Sequence, residues 1–253
     1  MKRAARSIIF YAALLGLWAL LAKLKIWPQY LFPTPWGVGE ELYYGFADHS
    51  LWIAIVVSMK RVLVGYGVSI VLGMILGLGV SSNKFLEETV GGLLVSLQSL
   101  PSICWWPLAL LWFGFNANAI LFVVIMGSLL SVTIAMEDGR KQMPKIFGMA
   151  GRNLGAHGFQ LFWHVLLPAS LPYIITGLKQ GWAFAWRSLI TAEMLYVSLG
   201  LGQVLMMGRE TNNTNAVIAV MILIIAIGYL VDGVIFKSME RRLQHKWGLT
   251  PAT

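Results

Sequence analysis

Charge is what this chain has least of. Only 12% of its 253 residues are Asp, Glu, Lys or Arg, where an ordinary soluble domain carries about a quarter. With 58% hydrophobic residues and a mean hydropathy of +0.72, the composition is that of an integral membrane protein. The net charge of +8 is therefore read by position along the chain, not as a nucleic-acid surface. Cysteine is nearly absent as well: Cys104 alone excludes an intramolecular disulfide, and its apolar setting suits a small residue filling a helix contact. Catalytic signatures are also missing. There is no Gly-Lys dipeptide, hence no phosphate-binding G-x4-G-K-[ST] loop, and no H-E-x-x-H, C-x-x-C or G-x-S-x-G. No catalytic or metal-ligating set is expected, and any nucleotide chemistry has to arrive on another subunit.

What the chain does have is long apolar runs. Six spans with short loops use up the length and leave no room for a soluble catalytic domain. The reading is an all-α membrane protein with a single transmembrane domain over 1–253 and about six spans, near 7–24, 62–80, 89–112, 119–136, 168–196 and 216–236. Lys2, Arg3 and Arg6 precede the first run, and Lys23 and Lys25 stand where a cleavage site would lie, which predicts an uncleaved first helix with snorkelling lysines. Residues 27–57 are expected to form an outer loop with an interfacial amphipathic helix carrying Val38, Leu42, Tyr43 and Phe46. His49 in that loop has no second ligand at i+3 or i+4 and is expected to be solvated. The second span is entered through Lys60 and Arg61. Its Gly73-x-x-x-Gly77 pattern suits either packing within one bundle or a dimer seam.

Pro101 and Pro107 interrupt the third span, which predicts a kink or a wet cavity. Gln98 and Ser102, four apart, are either pathway residues or interhelical hydrogen-bond partners. On the fifth span Thr176, Gln180, Arg187 and Thr191 fall within a stripe roughly 60° wide. An arginine near mid-helix costs at least about 2.5 kcal/mol facing lipid, so Arg187 should face protein or water. It is either a structural arginine satisfied by other helices or a fork-shaped donor to an anion. Glu193, six residues on, is too far round the helix to be its direct partner, and Asp232 should pair with Lys237 or water. Counted by side, Lys and Arg number twelve with both termini, the Ser81–Glu88 turn and the 137–167 loop, and five opposite. The positive-inside rule then puts the termini and that loop in the cytoplasm.

The loop has a shape of its own. Pro144 suits the first turn of a helix, Gly155 stands at a C′ position that needs positive φ, and Phe159, Phe162, Trp163 and Leu166 then recur at helical spacing. Gly155, nine residues, then Val165-Leu166-Leu167-Pro168 resembles the G-x9-I-x-L-P part of the cytoplasmic loop of bacterial ABC importer permeases. The upstream Glu-Ala-Ala of that motif falls on Met149, Ala150 and Gly151, so its glutamate is missing. The flanking SLPSICWWPLALLWFGFNANAI and LPASLPYIITGLKQGWAFAWRSLITAEML resemble the permeases for nitrate, taurine, aliphatic sulfonates and bicarbonate, and the likeness covers roughly 58–248.

The resemblance implies a type I ABC importer permease fold with a coupling-helix loop over 137–167. Met149, Ala150, Gly151, Gly155, Phe159, Phe162, Trp163 and Pro168 would then meet the ATPase, and Gln98, Ser102, Thr176, Gln180, Arg187 and Thr191 would line the translocation pathway. It further implies no cofactor on this chain, with ATP and Mg on two cytoplasmic ATPase subunits. A second permease copy, an external substrate-binding protein and membrane lipid would be the other partners, without nucleic acid. The expected cargo is a small oxyanion. A non-anionic solute such as a thiamine precursor is the alternative within the family, and a membrane scaffold or intramembrane enzyme the alternative outside it. Phe159, Phe162 and Trp163 are expected to be covered, by the chain's own bundle or by the ATPase.

Overall fold

In hydrocarbon a backbone must satisfy its own amides and carbonyls, and an α-helix does so within one segment. The computed structural model describes residues 2–28, 30–141, 145–196 and 198–247, and every regular element among them is helical. In chain order these are α1 (Lys2–Lys23), α2 (Pro35–Ala47), α3 (Ser50–Val80), α4 (Lys84–Gln98), α5 (Ser102–Phe113), α6 (Ala117–Lys141), α7 (Lys145–Asn153), α8 (Gly158–Leu195), α9 (Leu201–Glu210) and α10 (Thr214–His245). Of these, α1, α3, α6, α8 and α10 are each long and apolar enough to cross a membrane. The pair α4 and α5 reaches that length and polarity only together and is bent by 100° between them.

Local chemistry explains where the helices begin and break. At α2, Thr34 Oγ1 accepts from the Gly37 amide at 3.1 Å and Pro35 occupies the first helical position, a well-formed N-terminus. The chain then turns at His49, with φ +67°, and Asp48 Oδ1 accepts the Ser50 amide at 2.9 Å. That turn starts α3 at Ser50, and the helix runs unbroken through Lys60 and Arg61. The expected loop to residue 57 is corrected accordingly. At 1.5 Å per residue α3 is about 46 Å long, so 62–80 still fills the ~30 Å of hydrocarbon while the earlier turns extend beyond it. The third span is not kinked but broken. Its α4 ends at Gln98, Pro101 is extended (ψ 138°), and a 3₁₀ turn over Ser102–Trp105 restarts the helix, with Pro107 in the next turn, where a missing amide costs little.

The helices form two compact units, residues 1–59 with 193–226 and residues 60–192 with 227–253. Within the second, small residues set the spacing. A Cβ added to Gly73 would sit 2.7 Å from Val132 Cγ1, and one on Gly77 2.6 Å from Met136 Cβ, so the Gly73/Gly77 face packs on α6 of the same chain. Gly177 meets Ala135 and Gly127 meets Ser188 in the same way, which brings α6 against α8. Ser128 Oγ donates to Val124 O at 2.8 Å and lies 2.8 Å from Ser69 Oγ, and the Tyr66 hydroxyl donates to Leu178 O. Asp232 does not pair with Lys237: it takes Lys179 of α8 at 3.0 Å, and Lys237 lies over the Tyr229 ring. Cys104 is exposed, not buried in a helix contact.

Within the first unit, the Trp18 indole donates to Pro33 O at 3.0 Å and Asn213 Nδ2 donates to Glu41 at 2.6 Å. The expected connection over 200–215 contains a helix, α9. The loop's second helix is not separate, since α8 runs continuously from Gly158 to Leu195. Met143 and Pro144 lie outside the described residues.

Candidate functional site

α7 ends in a turn that its backbone bonds define. Gly155 has φ +84°. Its amide donates to Arg152 O at 2.9 Å, and the Ala156 amide donates to Gly151 O at 2.9 Å. These are the 5→2 and 6→1 bonds of a Schellman cap with Gly155 at C′, so the positive φ expected from the sequence is present. Gly151 is buried for a different reason. A Cβ there would lie 2.6 Å from Leu161 and 3.1 Å from Val165, so α7 crosses the start of α8 at a separation only glycine permits. Pro168 has no amide to return to His164. The helix widens just before it into a π turn over Phe162–Leu166, where Leu167 N donates to Phe162 O.

This segment is only partly covered by the rest of the chain. Phe162 turns inward to a 330 Å³ cavity with Leu78, Met136 and Leu166. Phe159 and Trp163 are 76% and 54% exposed and stack on each other at 6.0 Å, one helical turn apart. For these two, burial against the chain's own bundle is ruled out. Met149, Ala150 and Leu154 on α7 and its turn are exposed as well, so this segment leaves these five apolar residues uncovered.

The six polar residues singled out on the third and fifth spans line two cavities that share one of them. The larger, 560 Å³, is bordered by Gln98, Ser102, Arg187 and Thr191, with Phe184, Gly127 and the broken stretch 99–101. The smaller, 340 Å³, is bordered by Gln98, Thr176 and Gln180, with Ser131, Asp138 and Tyr173. Gln98, the last residue of α4 before the break, borders both. Arg187 Nε donates to Ala183 O at 3.2 Å, and its guanidinium lies 4.7 Å over the Phe184 ring. No carboxylate pairs with it among the described residues. A guanidinium steadied at one nitrogen and on one face keeps its fork of N–H groups for a planar acceptor.

Two polar clusters, one in each unit, hold carboxylates outside these cavities. Lys141, at the end of α6, meets Glu137 at 2.7 Å and Glu87 of α4 at 3.1 Å. The hydrogen bond to Glu137, opposed by partial burial and helped by Glu87, holds the ammonium pKa above its usual value. The other cluster was not read from the sequence. Glu193 is fully buried and accepts the Ser58 hydroxyl at 2.7 Å and the Gly202 amide at 3.2 Å, while Ser58 Oγ accepts the Leu201 amide at 2.9 Å. Together they cap the N-terminus of α9. The available signal was an acid inside an apolar span, which calls for a partner.

Comparison with known proteins shows the family and the fold. Residues 69–245 match the family model described as the binding-protein-dependent transport system inner membrane component. The taurine transport system permease protein of Escherichia coli is 26% identical over 94% of this chain and 88% of its own length. The nitrate import permease protein of Synechocystis sp. is 28% identical over 90% and 85%. A putative ABC transporter permease protein of Methanocaldococcus jannaschii is 34% identical over 70% and 67%. Among solved structures, the inward-facing MetNI methionine ABC transporter matches with a TM-score of 0.61 at 20% identity, covering 76% of this chain and 97% of that one. This likeness shows the fold, that of a type I ABC importer permease.

Proposed function

Because the chain belongs to the family of binding-protein-dependent transport system inner membrane components, we propose that this multi-pass inner-membrane ABC importer permease carries a small oxyanion of the nitrate, sulfonate or bicarbonate class. The observation that carries the choice of cargo is Arg187, a guanidinium bordering a 560 Å³ cavity with no carboxylate paired to it among the described residues. Relatives of this chain include permease proteins for taurine, nitrate and bicarbonate and a putative one for aliphatic sulfonates, which supports the same class. Gln98, Ser102, Thr176, Gln180 and Thr191 supply neutral donors and acceptors along the same route. Such a site has to hold its anion weakly, since tight binding would stop release.

In this reading two copies of the chain face each other, each offering its exposed stripe on α8, with a substrate-binding protein outside and both termini in the cytoplasm. Two cytoplasmic ATPases, which hold ATP and Mg, take the apolar surface of Met149, Ala150, Phe159 and Trp163. Their closure on ATP draws the two α7 helices together, and α8 transmits the motion because it is continuous from Gly158 through the π turn to Arg187. The cycle is alternating access between two states. The test is uptake of taurine, nitrate and bicarbonate by the reconstituted complex. Arg187→Gln should lower uptake of the carried anion by at least about tenfold, the worth of one charge-assisted hydrogen bond, and Arg187→Lys should recover part of it. Undiminished anion uptake by Arg187→Gln would overturn the anion reading.

A further inference from the structure

The second cavity contains a charge that the pathway reading does not use. Asp138 borders the 340 Å³ space with Gln98, Tyr173, Thr176 and Gln180. No hydrogen bond or ion pair engages its carboxylate among the described residues. Lys141, one helical turn further along α6, is already committed to Glu137 and Glu87. The two cavities therefore carry opposite charges, Arg187 in one and Asp138 in the other, and they meet at a single neutral side chain, Gln98. Thr176 and Arg187 are eleven residues apart on one helix, about 16 Å, so the charges are stacked along the helix axis rather than side by side. Asp138 sits near the last turns of α6 and Tyr173 in the N-terminal half of α8, the half nearer in sequence to α7 and its turn.

A carboxylate held with its charge unmet in a partly enclosed space repels an anion there, and low local dielectric strengthens the effect. An amide such as Gln98 can donate to an anion and accept from a hydroxyl without favouring either charge. We propose that Asp138 is a release residue: it keeps the Gln98–Thr176–Gln180 cavity from retaining the anion that Arg187 attracts or taking it back from the ATPase side. This rests on the oxyanion reading above. Binding at Arg187 raises occupancy on the entry side, Gln98 passes the anion through the shared wall, and Asp138 lowers occupancy on the ATPase side. The barrier to return is then electrostatic as well as mechanical. Asp138 is a specificity and positioning residue in this scheme and binds no cargo.

The experiment uses the complete complex in proteoliposomes, with binding protein and labelled taurine or nitrate trapped inside and ATP outside, so that unlabelled anion can be titrated on the ATPase side. In Asp138→Asn, and in Asp138→Ser as a second neutral variant, inhibition by that anion should set in at a concentration roughly tenfold lower than in the parent protein. Asp138→Glu should restore the parent value, a rescue that a merely structural role at a tight position would not give. Inhibition unchanged in both neutral variants while Arg187→Gln loses uptake would overturn the release role and leave the anion pathway standing. Uptake undiminished in Arg187→Gln would overturn the anion reading and the release role with it.

Discussion

Gly155 and Arg187 show how much one residue can decide. Nothing lies within 4 Å of a Cβ built on Gly155, so a side chain there meets no neighbour and the whole cost is the left-handed backbone, about 1–2 kcal/mol. Gly155→Leu should therefore assemble with only a modest loss in melting temperature, yet lose most ATP-driven uptake, because in the proposed function the cap that relaxes is the one that aims α7 at the ATPase. Normal uptake at full expression would contradict this. Both residues were legible in the sequence because their signals are local: a C-cap glycine between two helical patterns, and a cation on a polar stripe of period 3.6. Glu193 was not legible in the same way. Its hydroxyl partner, Ser58, is 135 residues away, and spacing along one helix says nothing about such a pair. Asp232 misled for the same reason, since Lys237 is near in sequence whereas Lys179 is near in space.

At the scale of elements, α9 depends on the cap from Glu193 and Ser58. A Cβ on Gly200 would sit 2.5 Å from the Glu193 carboxylate, so Gly200→Ala should lower stability by about 1–3 kcal/mol through overpacking. Ser58→Ala should cost about 1–3 kcal/mol by stranding the Leu201 amide. Thermal unfolding of the purified protein in detergent checks both, and unchanged melting would remove the capping role. The link from α6 to α4 behaves differently with pH. The Lys141 pKa is raised in the folded protein, so its contribution is complete below the unfolded value near 10.4 and fades only as pH rises through the higher folded value. The destabilisation caused by Lys141→Met should thus stay constant between about pH 6 and about pH 9. Element boundaries were the least legible feature. The Asp48–His49 turn, not the Lys60–Arg61 pair, starts α3, and the 100° break after Gln98 needed more than two prolines to foresee, since proline alone predicts a kink.

The whole molecule is incomplete as a single chain. Its polar stripe on α8 and its stacked Phe159 and Trp163 are both exposed, which fits a second copy at one surface and an ATPase at the other. Phe159→Ala with Trp163→Ala should weaken recovery of the ATPase in pull-down several-fold while leaving the permease folded, because both rings are more than half exposed. Equal recovery would place the ATPase contact elsewhere. The central claim is that the Thr176, Gln180, Arg187 and Thr191 face of α8 is wetted and carries the anion. Single cysteines at Thr176, Gln180 and Thr191 in a Cys104→Ser background, probed in the assembled complex with an anionic, membrane-impermeant thiol reagent, test it most directly. All three should react in the nucleotide-free or the ATP-bound state, and the transported anion should slow the reaction. Failure of all three to react in either state would contradict the account.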